Sequence, residues 1–450
     1  MKKRIFVLVK KSLLILLSCA IALQGCHKHE GDAPVFEHYR NVFVVMQFGF
    51  NNLSPDMKTN EKQLLSGYSS PSGNDTRIAR VPHLYDDDVL LHYTHFPVTP
   101  GNYTSQTRPS LCRVYIDNSG RVAHDTLAVY PYGSGVEVST VSDVFNRARD
   151  LYPADTYGAI LSSHGTGWLY SAVGGKPKAV LSSLSSEPDA EALRRSYEGR
   201  GELLKSFGDQ FYQSAPGATT EHSEIDLPSL RLSIPFKLDY LILDACLMGG
   251  IETAYELREK AGLIAFSPCP ILSKGFYYPT MLEHCFGPSK PDVKAICEDY
   301  YDFYQNRYSN HSCTITLIDT DGLERLAAAA KTIIDAHRAA IYALNPQPGG
   351  YFDPMPYYDD IQYYYDWDYA EIFCDFRDIL SKCGADDSEL AELDAALDAC
   401  VVYKAHTASF QGLQIRRYSG MSMYLPRSRW PVLNTFYRGL EWNLATGLVE

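Results

Sequence analysis

Two apolar runs stand out in the hydrophobic pattern, residues 157–163 (YGAILSS) and Leu238–Asp244 (LDYLILD), each short and continuous enough to be a buried strand. Residues 41–46 (NVFVVM) predict a first strand, followed by the turn-rich stretch 47–54 (QFGFNNLS). From about residue 60 to 109 the chain is polar and without clear periodicity, which reads as loop with room for one helix or hairpin. Residues 112–117 (CRVYID) predict another strand, closed by Asn118-Ser119-Gly120. A helix then opens at Thr140 to Asp143, which has capping-box spacing, and Val141, Val144, Phe145, Ala148 and Leu151 give it one apolar face. Strand, amphipathic helix and apolar strand in succession predict a βαβ unit and a parallel sheet.

Beyond residue 168 the pattern breaks. Residues 169–224 carry Gly174-Gly175, serine runs and scattered Lys and Arg, the pattern of a long exposed insertion. After Leu238–Asp244 the periodicity predicts a helix over 248–260, a strand over 262–266, a helix over 291–308, a strand over 313–319 and a long Ala-rich helix over 322–344. The register changes at the Pro/Gly-rich stretch 345–350. Past it lie a Tyr/Asp-rich stretch, helices over 370–382 and 388–403, and a late strand over 420–425. The expected organisation is a leader over 1–25, a tether over 26–40, an α/β catalytic domain over 41–344 and a smaller, mainly helical C-terminal subdomain over 345–450.

Composition adds an address. Lys2, Lys3, Arg4, Lys10 and Lys11 flank a short apolar stretch at 12–23, which ends in Leu23-Gln24-Gly25-Cys26. This resembles the lipobox of bacterial lipoproteins, in which the cysteine (here Cys26) is acylated after cleavage. The expectation is export and anchoring to a membrane, because no later segment has the roughly 18 apolar residues of a spanning helix. Losing those five basic residues moves the formal net charge from −13 to −18, and a chain so acidic and free of basic runs argues against a nucleic-acid partner. The cysteines past Cys26 show no Cys-x-x-Cys motif or tight framework. Cys112, Cys297, Cys313, Cys374 and Cys400 fall in apolar periodic stretches, as buried free thiols do.

The two dominant strands each end in a reactive side chain, His164 after the first and Cys246 after the second. A thiol becomes a nucleophile when an imidazole can take its proton, and rigid strands position such a pair well. Gly165 follows the histidine, so its N–H can approach a substrate and join that of Cys246 in an oxyanion hole. The helix after Cys246 would favour the thiolate through its N-terminal field. No carboxylate is obviously placed to orient His164, which leaves a dyad and a triad both open.

His164-Gly165-Thr166-Gly167-Trp168 and Asp244-Ala245-Cys246-Leu247-Met248 resemble the paired motifs of the clostripain family of cysteine peptidases. Glu252-Thr253-Ala254-Tyr255-Glu256-Leu257 extends the second match, with weaker echoes at Asn51-Asn52-Leu53-Ser54 and 420–426. The resemblance implies a caspase-like, mostly parallel sheet flanked by helices, with His164 as base, Cys246 as nucleophile and Gly165 in the oxyanion hole. It also implies Asp244 at the S1 pocket, Arg or Lys at the cleaved position, and activation by cleavage between His and Cys. Lys176, Lys178, Arg194, Arg195, Arg200 and Lys205 are candidate sites for that cleavage. The segment after the next strand departs from the family pattern: residues 266–278 carry Lys274 and no carboxylate, and a cation there opposes a basic substrate. The expected partners are peptide or protein substrates. No cofactor is expected; calcium enters by resemblance alone, without an EF-hand-like spacing. An alternative is a catalytically silent surface lipoprotein that binds protein or glycan through the tyrosines of 357–369. An esterase or amidase using the same dyad would share the chemistry.

Overall fold

The structure, a computed structural model, describes residues 37–66, 87–99, 102–117, 121–169, 210–212, 221–287, 290–345, 361–365 and 367–450. Cys26, the candidate cleavage sites of the insertion, and Tyr357 and Tyr358 lie outside those residues.

Nine strands form one sheet: β1 (Tyr39–Phe48), β2 (Asp88–His95), β3 (Ser110–Ile116), β4 (Val122–Val129), β5 (Ala154–Ser162), β6 (Leu238–Asp244), β7 (Ala261–Phe266), β8 (Thr314–Asp319) and β9 (Val401–His406). Their spatial order is β9-β8-β7-β6-β5-β1-β2-β3-β4. The central five, β7-β6-β5-β1-β2, run parallel, and each flank adds two antiparallel strands.

Alternation along the strands sets the layers. In β1, Val42, Val44 and Met46 face one apolar cluster while Phe43 and Val45 face the other, so both sides of the sheet are covered and the strand reads as a continuous apolar run. The first face is covered by α2 (Val138–Leu151), α3 (Leu227–Ser233) and α4 (Ile251–Glu256). The opposite face takes Leu64 of α1 (Ser54–Ser66), α5 (Met281–Cys285) and α6 (Val293–Asp302). The first cluster continues through α7 (Leu323–Ala343), α8 (Phe376–Lys382), α9 (Asp387–Cys400), α10 (Pro431–Tyr437) and α11 (Glu441–Thr446). This is the mostly parallel, helix-flanked sheet with a largely helical C-terminal part that the sequence predicts.

Several local expectations fail for identifiable reasons. β2 lies inside the stretch read as polar loop, yet it is buried beside β1, because its polar groups find partners. Asn41 donates to Asp88 at 2.8 Å, and the ring of His92 meets Gln47 Oε1 at 3.0 Å. Burial pushes His92 down to about 3. The capping box at Thr140 does not form: α2 starts two residues earlier, and Asp143 instead accepts from Tyr130 and Arg147 at 2.9 and 2.6 Å. The helix expected over 248–260 shrinks to Ile251–Glu256. The helix expected to run to 403 stops at Cys400, and the chain turns directly into β9, which edges the main sheet.

The chain leaves β1 toward β2 on one side, while β5 and then β6 lie on the other. Strand order therefore reverses between β1 and β5. In such sheets the crevice at the carboxyl ends of the strands flanking that reversal is where ligands bind.

Candidate active site

Three loops leave the carboxyl ends of β1, β5 and β6 side by side. In the parallel register Gln47 pairs with Ser162, and Ser162 with Asp244. His164 and Cys246 each stand two residues beyond that last pair, at equivalent places on strands separated by about 4.8 Å. A hydrogen bond from Ser163 N to Asp244 O (3.4 Å) carries the register past the end of the ladder.

Asn52 supplies what the sequence reading lacked. His164 Nε2 lies 2.5 Å from Asn52 Oδ1, with the histidine buried and the asparagine half-buried. An amide oxygen only accepts, so Nε2 carries the proton and Nδ1 is left as the basic nitrogen. Asn51 builds the turn that presents Asn52: its Nδ2 donates to Phe48 O at 3.0 Å and its Oδ1 accepts from Leu53 N at 3.0 Å. The signal was present in Asn51-Asn52-Leu53-Ser54, but a neutral amide 112 residues from the histidine does not register in a search for carboxylates.

The cysteine turn is held from below by residues 267–271. Leu247 N donates to Cys269 O (3.2 Å) and Gly249 N to Ser267 O (2.8 Å). Leu247 takes φ 60°, unusual for a bulky residue and a sign that its surroundings over-determine the turn. Gly167 of the histidine loop, at φ +64°, packs against it: a Cβ there would lie 2.7 Å from Leu247 O. Ile271 N–H donates to Cys246 Sγ at 3.3 Å, and the thiol reaches Ile271 O at 3.5 Å. The expected helix field contributes little, since α4 begins five residues later and such fields fade within a turn. The Ile271 amide takes that place as a partner for negative charge on sulfur.

Gly165 and His164 are buried within the histidine loop, and Cys246 is 3% exposed. Asp244 closes β6 with no exposed surface. Its Oδ2 accepts from Ser162 Oγ (3.0 Å) and Tyr278 OH (2.6 Å), and these two hydroxyls lie 2.7 Å apart. Burial, and then the charge of Asp244, push the Tyr278 phenol well above its ordinary value. Lys274 donates to Asp56 of α1 at 2.9 Å, so the cation that departs from the family pattern meets a carboxylate. Tyr363, Tyr364 and Tyr365 are buried and so unavailable as a binding surface. The nine cysteines from Cys112 to Cys400 are all free thiols; Cys112 is half-buried and the rest are buried. Among the described residues no cluster of three or more His, Cys, Asp or Glu is arranged to hold a metal ion, and no helix is long and apolar enough to cross a membrane.

No curated protein matches the chain. Among solved structures, it is similar to an inactive zymogen C11 protease from Parabacteroides distasonis (TM-score 0.67, 23% identity), covering 92% of this chain and 99% of that one. It is similar too to a secreted C11 cysteine protease from Bacteroides thetaiotaomicron in complex with an irreversible peptide inhibitor (TM-score 0.64, 21% identity, 91% and 99% covered). At those identities the likeness speaks for the fold. The sequence model of the clostripain family matches residues 219–441, which include Asp244, Cys246 and helices α7 to α10. With the family's motif on β6 and its fold around it, this chain belongs to the clostripain family of cysteine peptidases.

Proposed function

We propose that the chain is an exported, lipid-anchored endopeptidase in which Cys246 is the nucleophile and His164 the general base. The observation that carries the assignment is the matched register of the two loops, with His164 Nε2 fixed by Asn52 so that Nδ1 is the proton acceptor. The thiol proton moves to His164 Nδ1 as sulfur adds to the scissile carbonyl carbon and the carbonyl electron pair moves to oxygen. Backbone N–H groups of Gly165 and Cys246 stabilise that oxyanion, a role in which one donor is worth about 10²–10³ in kcat. Collapse expels the amine, which takes the proton from His164. Water, deprotonated by His164, then hydrolyses the thioester. No step draws on a cofactor.

For the cleaved position the reading is Arg or Lys. Asp244 is the carboxylate that recognises it, with Ser162 and Tyr278 holding Oδ2, while pairing with Asp56 removes the objection raised by Lys274. Cleavage within 169–224 is the proposed activation step. The amino-terminal motif supports acylation of Cys26 and attachment to a bacterial membrane, and the secreted relative supports export.

The test is labelling with an irreversible thiol-directed peptide carrying Lys at the cleaved position, on protein with and without a nick in the insertion. Labelling of Cys246, lost in Cys246→Ala and His164→Ala, is expected. Wild type that neither labels nor turns over peptide in either state overturns the assignment.

A further inference from the structure

Behind the two catalytic loops lies a buried junction that the reaction steps do not use. Glu252, in α4, has no exposed surface, and its Oε1 accepts two hydrogen bonds, from Tyr424 N and from Tyr437 OH, both at 2.8 Å. Ser422 N also donates to Gly249 O at 2.9 Å, so the segment from 422 to 424 is tied to the cysteine loop and its helix at two points. Gly250 sits at the crossing, where a Cβ would lie 2.8 Å from Glu252 Oε2.

The same two tyrosines back the other catalytic loop. Trp168, four residues past His164, is 1% exposed. Its ring lies 5.0 Å from that of Tyr424 and 4.8 Å from that of Tyr437, the second contact edge-to-face at 83°. The two tyrosine rings are 5.1 Å apart, and Tyr424 OH donates to Asn434 Oδ1 at 2.8 Å. One carboxylate and one ring pair thus touch the element after Cys246 and the loop after His164 together.

We propose that Glu252 is a positioning residue for the Cys246–His164 pair, fixing Tyr424 and Tyr437 as a shared backing for the loops that carry the two groups. The proposal rests on the catalytic assignment made above. Thiol-to-imidazole proton transfer is steep in distance, and a displacement of about 1 Å can cost about 100-fold. A buried phenol without its acceptor gives up the orientation its hydrogen bond enforced. Releasing Tyr437 from Glu252 removes the stop against which Trp168, and through it His164, is seated.

Tyr437→Phe deletes the hydroxyl and keeps the ring, Glu252→Ala deletes the acceptor, and Glu252→Gln keeps an acceptor oxygen. The measurements are kcat and KM on a peptide, the rate at which iodoacetamide alkylates Cys246, and Tm. Loss of one buried hydrogen bond predicts kcat lower by about 5- to 20-fold in Tyr437→Phe, with KM within about twofold and slower alkylation. Glu252→Ala loses at least as much, and Glu252→Gln recovers most of it. A lowered Tm with kcat and alkylation of the folded variants at wild-type values overturns the proposal. If Glu252→Ala does not fold, Tyr437→Phe and Glu252→Gln decide it alone. Wild type that, with or without a nick in the insertion, neither turns over peptide nor alkylates at Cys246 removes the catalytic assignment and this proposal with it. An active wild type matched by both Tyr437→Phe and Glu252→Ala removes this proposal alone.

Discussion

Replacing Glu252 by Gln separates charge from shape at a fully buried carboxylate behind the site. Burial pushes Glu252 up from 4.5 to about 7, and the hydrogen bonds from the Tyr424 amide, its own backbone N–H and the Tyr437 hydroxyl pull only partly the other way. Because the folded value is raised, the folded protein holds this proton more tightly than the unfolded chain does. Its stabilising contribution is therefore complete below 4.5 and is lost as pH rises through about 7. The full gap, at 1.36 kcal/mol per pKa unit, is worth about 3 kcal/mol, most of which falls between pH 5 and pH 8. Glutamine does not titrate. Urea unfolding of Cys246→Ala protein, with and without Glu252→Gln, across that range removes self-cleavage and isolates the effect. The glutamine form should gain about 2–3 kcal/mol relative to its parent from pH 5 to pH 8. A difference that stays flat refutes the titration argument. One that runs the other way means that the two tyrosine donors hold the carboxylate ionised.

Asn52→Ala should lower kcat by about 10- to 100-fold with little change in KM, since a hydrogen bond to a histidine that becomes charged is worth about 1.5–3 kcal/mol; an unchanged kcat removes Asn52 from the site. Asp244→Asn should abolish preference for Arg and Lys in a peptide library, and an intact preference places recognition elsewhere. Lys274→Ala, which releases Asp56 from its ion pair, should raise rates on Arg and Lys substrates by a few-fold at low salt and less at high salt, and an unchanged rate places the pair outside the pocket. Cys26→Ala should move the protein from the membrane to the soluble fraction and abolish incorporation of an alkyne-tagged fatty acid; continued incorporation puts the lipid on another residue.

What could be read from the sequence follows the range of the interactions involved. β5 and β6 announce themselves because their continuous runs over 158–161 and 240–243 are apolar and buried on both faces of the sheet. Their end residues could be paired because a parallel sheet brings equivalent positions together. β2 was hidden because Asp88 and His92 look like surface residues, and it takes Arg40, Asn41 and Gln47 on the neighbouring strand to satisfy them once buried. β9 was hidden for the opposite reason. Ala396, Leu397 and Cys400 continue into Val401 and Val402 without a break in apolar character, and the change from helix to strand is made by pairing with β8. No role can be read from the sequence for Asn52, Tyr424 or Tyr437, because their partners lie more than 100 positions away.

The span of sequence that closes the site also sets when it can exist during synthesis. His164 takes its partner from residue 52, near the start of the described chain, whereas Trp168 and Glu252 take theirs from 424 and 437, near its end. A chain emerging from its amino terminus holds the nucleophile and the base long before it holds the backing that seats them. On the proposed assignment the pair completes its geometry only after residue 437 has been delivered, so a chain still growing short of that point does not yet hold it seated.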